Sequence, residues 1–146
     1  MKEIYVKKLR PDAALPARGS EAAAGADLRA CMDGDVTIVP GETAFLGTGL
    51  ALEIPEGYAG LVYARSGLAC KSGLAPANKV GVIDADYRGE VKVALYNHGP
   101  APVTVSPGDR IAQLVVTPVL MAEFLERDDL SDTGRGAGGF GSTGKQ

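Results

Sequence analysis

The chain has 146 residues, with 15 Lys and Arg against 18 Asp and Glu, a formal charge of −3 and a pI near 5.1. That balance excludes the basic footprint of a dedicated nucleic-acid binder, and the length suits one domain with a core of its own. With 45% hydrophobic residues beside 20 Gly and 9 Pro, the composition is neither disordered nor collagen-like and favours short elements joined by tight turns.

From the N-terminus, residues 1–9 interleave charged and apolar side chains and hold no apolar run of the kind a secretory signal needs, and residues 4–9 form the first run of strand length. Nowhere do about 18 apolar residues follow one another, so a soluble, cytoplasmic protein with no membrane partner is expected. Runs of strand length continue at residues 36–39, 43–46, 50–54, 58–63, 80–83, 91–96, 103–105 and 111–119. Between them stand turn signals: Asp33-Gly34, Pro40-Gly41, Pro55-Glu56-Gly57, Asn97-His98-Gly99-Pro100 and Ser106-Pro107-Gly108-Asp109. This rhythm predicts an all-β fold, a jelly-roll-like sandwich or barrel, with one short helix around residues 66–71. With 5 Tyr, 3 Phe and no Trp, the core must come from Val, Leu, Ile and Ala. Cys31 and Cys70 are too few and too far apart for a zinc or disulfide framework, and both read as reduced, buried structural residues. After Ser131 the composition turns to Gly, Ser, Thr and charge. Residues 1–131 are therefore expected to form the β domain, and residues 132–146 a mobile C-terminal arm.

Several motif matches fail on context. The arm spells G-x-G-x-x-G at Gly134, Gly136 and Gly139, and again at Gly136, Gly138 and Gly141, but no strand precedes it and no helix can follow. A near-match to a phosphate-binding P-loop has Ser142 where the Lys belongs. What survives is a run of unobstructed backbone N–H groups flanked by Arg135, Ser142, Thr143 and Lys145, able to wrap an oligophosphate. The single histidine, His98, lies in a turn and reads as solvated, which removes a histidine-dependent nucleophile and starves any zinc site. Acid–base work then falls to carboxylates, and charge stabilisation to Arg, backbone N–H groups and a hard cation such as Mg²⁺. Asp84 and Asp86 lie in the segment 81–89, which reads as a β-hairpin placing both carboxylates on one face while the strand persists. Arg65-Ser66-Gly67 offers a guanidinium, a hydroxyl and an approachable backbone, a set suited to phosphate oxygens.

Five ordered blocks, AGADLRA at 24–30, ARSGLA at 64–69, GVIDADYRG at 81–89, GDRIAQL at 108–114 and RGAGGFGSTG at 135–144, resemble the motifs of the trimeric dUTPase family. One departure is Ala64, where the second block usually begins with Pro. The resemblance implies a β jelly roll assembled as a homotrimer, with three active sites at subunit interfaces, each built from blocks of more than one chain. It implies hydrolysis of dUTP to dUMP and pyrophosphate, which keeps uracil out of DNA and supplies dUMP for thymidylate synthesis. Asp84 would be the general base that activates water for attack on the α-phosphorus. Mg²⁺, held mainly by phosphates and water, would neutralise the leaving group, with Asp27 supporting it through a bound water. Arg65, Ser66, Gly67 and Gln113 would bind phosphates, and Tyr87 would lie against the deoxyribose and leave no room for a 2′-hydroxyl. Asn78 and the backbone near Val82, Ile83 and Lys92 would read the uracil edge. Phe140, an aromatic in a Gly-rich tail, would stack on uracil, while Arg135, Gly141, Ser142 and Thr143 close over the γ-phosphate. Two alternatives remain. dCTP deaminase shares the implied fold, but its catalytic Glu aligns with Ala94; a silent nucleotide-binding module would not call for Asp84, Tyr87, Phe140 and Arg135 together.

Overall fold

A computed structural model describes residues 3–139 of the chain. Period-two patterning builds most of it. The strand β9 (Glu90–Asn97) buries Val91, Val93, Leu95 and Asn97 and turns Glu90, Lys92, Ala94 and Tyr96 to the other face. It lies within an antiparallel sheet ordered β1 (Tyr5–Lys8), β5 (Thr43–Glu53), β9, β7 (Leu74–Pro76). A second sheet runs β2 (Ala17–Arg18), β3 (Ala26–Arg29), β11 (Arg110–Pro118), β6 (Tyr58–Tyr63), β8 (Gly81–Ile83). A separate pair joins β4 (Val36–Ile38) to β10 (Val103–Val105). Leu28, Ile38, Leu46, Val62, Leu74, Ile83, Leu95, Val105 and Ile111 come from all three sheets into one core. The fold is mostly β with one short helix, α1 (Ser66–Ser72), as the turn rhythm predicts. Among the described residues no helix is long and apolar enough to cross a membrane.

The structure corrects several readings. The runs at 43–46 and 50–54 are one strand, β5, whose register against β9 shifts between Gly47 and Ala51. Buried Thr48 secures this bulge by donating from Oγ1 to the Val91 carbonyl at 2.7 Å. Gly49 adopts φ +65° there, with its Cα pressed towards Cys31 and Ala13, a conformation and a space that both demand glycine. The segment 81–89 is not a paired hairpin: β8 joins β6 in one sheet while β9 joins β5 and β7 in the other, so the segment is a corner between sheets. Cys31 is buried beside Ala13 and Leu50, and burial pushes its thiol pKa up. Cys70 is exposed rather than buried, because α1 has no buried residues. The short strands β2, β3 and β7 lie outside the apolar runs of the sequence.

The first strand after α1 is fixed to the rest of the fold by backbone. Gly73 ends the helix at φ 72°, its N–H reaching the Ala69 and Leu68 carbonyls. His98 N–H then donates to the Gly73 carbonyl at 2.8 Å. His98 itself is exposed in its turn, edge-on to Tyr96.

Candidate active site

The corner between β8 and β9 walls a cavity of about 330 Å³ together with β5 and β7. Six residues singled out from sequence line it: Asn78, Val82, Ile83, Asp84, Tyr87 and Lys92. Their placement follows from where the strand stops. Ile83 is the last residue of β8 and is buried. Asp84 opens a turn closed by Tyr87 N–H donating to the Asp84 carbonyl at 3.2 Å. Asp84 lines both this cavity and the neighbouring groove, and Asp86 lines the groove alone. Arg88 clasps the corner by donating from Nη1 to the Ala85 and Tyr87 carbonyls at 2.7 and 3.1 Å. Tyr87 in turn donates from its hydroxyl to the Glu90 carbonyl at 3.0 Å. Asn78 sits in the turn after β7, where Val80 N–H reaches its carbonyl at 2.7 Å and Lys79 takes φ 67°.

A second group gathers on the β3–β11 ladder and the end of β6. Register places Gln113 opposite both Asp27 and Tyr63. Arg65 Nε donates to Asp27 Oδ1 at 2.7 Å, and Arg110 Nη1 to Asp27 Oδ2 at 3.3 Å, so one partly buried carboxylate holds two guanidiniums. Gln113 Nε2 donates to the Ala64 carbonyl at 2.9 Å and thereby ties β11 to the segment that presents Arg65. Gly25 explains itself here: a Cβ at that position would collide with Gln113 Oε1. Gly67 has open space at its Cα, and Ser66 is exposed, so the backbone of this block is approachable. None of Asp27, Arg65 and Gln113 lines the cavity of Asp84.

Arg135 joins neither group. Its Nε donates to the Gly138 carbonyl at 2.8 Å, within an exposed turn that Thr133 closes through the Gly136 N–H. Phe140, Gly141, Ser142 and Thr143 lie outside the described residues. Sequence reading missed Glu90 and Phe45, which also line the cavity. The sequence signal for Glu90 is its phase: it shares the outward face of β9 with Lys92 and Ala94. Phe45, the cross-strand partner of Ala94, is exposed although it lies in a strand of a chain with few aromatics. Among the described residues no cluster of three His, Cys, Asp or Glu can hold a metal ion.

The dUTPase family model matches residues 11–144. The chain is 53% identical over 145 residues to the deoxyuridine 5'-triphosphate nucleotidohydrolase of Desulfitobacterium hafniense, covering 99% of this chain and 95% of that one. It is 56% identical over 135 residues to the enzyme of the same name from Anaeromyxobacter sp., covering 92% and 90%. Among solved structures it resembles a mutant dUTPase of Staphylococcus bacteriophage 80alpha with dUpNHpp, at TM-score 0.91 and 29% identity, over 99% of this chain and 100% of that one. A mutant dUTPase from phage phi11 of S. aureus, whose structure reveals the coordination of a structural Mg(II) ion, matches at TM-score 0.81 and 27% identity, over 90% and 100%. Near-complete coverage at about half identity, together with the ordered blocks on one fold, settles the kinship: the chain belongs to the dUTPase family.

Proposed function

We propose that the protein hydrolyses dUTP to dUMP and pyrophosphate, and that Asp84 is its general base. The observation that carries this reading is the single cavity lined by Asp84, Tyr87, Asn78 and Lys92. A base at the corner takes a proton from a water aligned opposite the leaving pyrophosphate, and the exposed Asp84 carboxylate is free to accept it. Tyr87 forms the wall against the sugar. Asn78 and the backbone around Val82, Ile83 and Lys92 read the uracil edge. Ala94 lines the same cavity without an acid–base group, which counts against deamination.

Arg65, Ser66, Gly67 and Gln113 bind phosphate oxygens in this reading, with Asp27 holding the Arg65 guanidinium in place. A bound Mg²⁺ would supply charge neutralisation at the leaving group, and Asp27, whose two oxygens each face an arginine, would support it through water. The assembly we propose is a homotrimer, as the resemblance to the family implies, in which a complete site draws on a neighbouring chain. Arg135, Phe140, Gly141, Ser142 and Thr143, of the C-terminal segment 132–146, are assigned to contacts with the substrate. The unpaired thiols suit a cytoplasmic setting, where removal of dUTP keeps uracil out of DNA and yields dUMP for thymidylate synthesis.

Turnover in ¹⁸O-water tests the reaction. Attack at the α-phosphorus puts the label in dUMP and leaves pyrophosphate unlabelled. Label in pyrophosphate, or no dUMP, contradicts the proposal.

A further inference from the structure

The bulge in β5 and the corner residue Tyr87 are joined through Glu90. At the bulge, Gly49 turns its N–H out of the ladder, and Glu90 Oε1 accepts it at 2.9 Å. Gly47 leaves room for that carboxylate, since a Cβ there would stand 2.5 Å from Glu90 Oε1. Oε2 lies 3.7 Å from Lys92 Nζ, a second residue of the cavity wall. The start of β9 is therefore tied to β5 by the Glu90 side chain, just where the ladder register is interrupted. That same residue offers its carbonyl to the Tyr87 hydroxyl at 3.0 Å. Gly89 supplies the remaining constraint: the Tyr87 ring lies over its Cα, where a Cβ would collide with the hydroxyl end of the ring.

We infer that Glu90 is a positioning residue, with Gly89 as the seat, that together set the pose of Tyr87 and hence the preference for deoxyribose over ribose. This rests on the sugar-facing role proposed for Tyr87. A tyrosine at 45% exposure has little packing to fix its ring, so the hydroxyl contact and the glycine seat do that work. A wall that rejects an added hydroxyl by sterics discriminates only while the ring stays put. An alanine at position 89 displaces the free end of a side chain and not the backbone, so it tests the pose without endangering the fold.

The test compares wild type with Gly89→Ala, Glu90→Ala, Glu90→Gln and Tyr87→Phe. The ratio of kcat/KM for dUTP over UTP is read beside the ratio of Kd for dUMP and UMP. Gly89→Ala, Glu90→Ala and Tyr87→Phe should each lower both ratios by about tenfold, mainly by improving the ribonucleotide. Glu90→Gln keeps an oxygen acceptor for the Gly49 N–H and should restore the wild-type ratios. Unchanged ratios in Gly89→Ala and Tyr87→Phe overturn the inference, as does Glu90→Gln falling as far as Glu90→Ala. If Glu90→Ala does not fold, the other variants still decide. Absence of wild-type turnover contradicts the proposed reaction, while the binding ratios still decide the role of Glu90.

Discussion

A carboxylate serves as a general base only when it is ionised and one hydrogen bond from the water it activates. Asp84 stands at the point where β8 gives way to a turn, and it lines both the cavity and the groove that Asp86 also lines. Asp84→Asn should leave melting temperature and nucleotide affinity close to wild type and slow hydrolysis by at least ~10²-fold, checked by steady-state turnover and calorimetric binding. Of this wall, Asp84 was legible as a carboxylate between two predicted strands, whereas Asn78, Tyr87 and Lys92 were legible only through the resemblance to the family. Glu90 was not legible in this way. Its importance comes from the Gly49 amide, freed by a bulge that no local pattern announces. The pairing of Arg110 with Asp27 was equally hidden, since it joins residues 83 positions apart.

Individual elements are held by a few contacts that can be tested singly. Asn97, 1% exposed at the end of β9, donates from Nδ2 to the Ile38 and Ala101 carbonyls at 2.8 Å each and accepts the Gly99 N–H at 2.8 Å. Asn97→Ala strands all three partners and should lower unfolding free energy by roughly 2–4 kcal/mol, read from denaturant titration. Between β1 and β2, Arg10 Nη2 reaches Asp33 at 2.6 Å while its Nε binds Asp12 at 3.1 Å. The Arg10 hydrogen bonds hold both carboxyls below the usual carboxylate range. Groups with lowered folded pKa stabilise above their unfolded pKa and lose that contribution as pH falls through the folded one. The melting temperature of wild type should therefore exceed that of Asp33→Asn near neutrality, and the gap should close on acidification below about pH 4. An equal gap at all pH values contradicts this. At this scale the sequence was readable where alternation was clean, as along β9. It misled at 81–89, where the turn residues are those of a hairpin but the strands on either side belong to different sheets. It was silent on β7, LAP, whose three residues carry no period and whose Pro76 argues against a strand.

For the whole molecule, the all-β architecture follows from the spacing of turn signals, because short strands bury their apolar faces by pairing into sheets that pack on a shared core. Assembly does not follow from any periodicity. Asp27, Arg65 and Gln113, which are tied together across β3, β11 and the end of β6, do not line the Asp84 cavity. The arm is the other element at this scale. Residues 132–139 form no strand or helix, and among the described residues Arg135 bonds within its own turn. Ordering such a segment costs on the order of 1 kcal/mol per residue, so it should close on the full triphosphate and not on dUMP. Deleting everything after Thr133 should preserve the oligomer, read by light scattering, and remove most turnover; full activity in the truncated protein contradicts closure. The most direct measurement of the central claim is pyrophosphate release from dUTP, dCTP, dTTP and UTP in parallel, with Mg²⁺ and again with a chelator, and ammonia read alongside. Release from dUTP alone, lost with the chelator, is the expected result. Release from none of them, or ammonia from dCTP, would contradict the assignment.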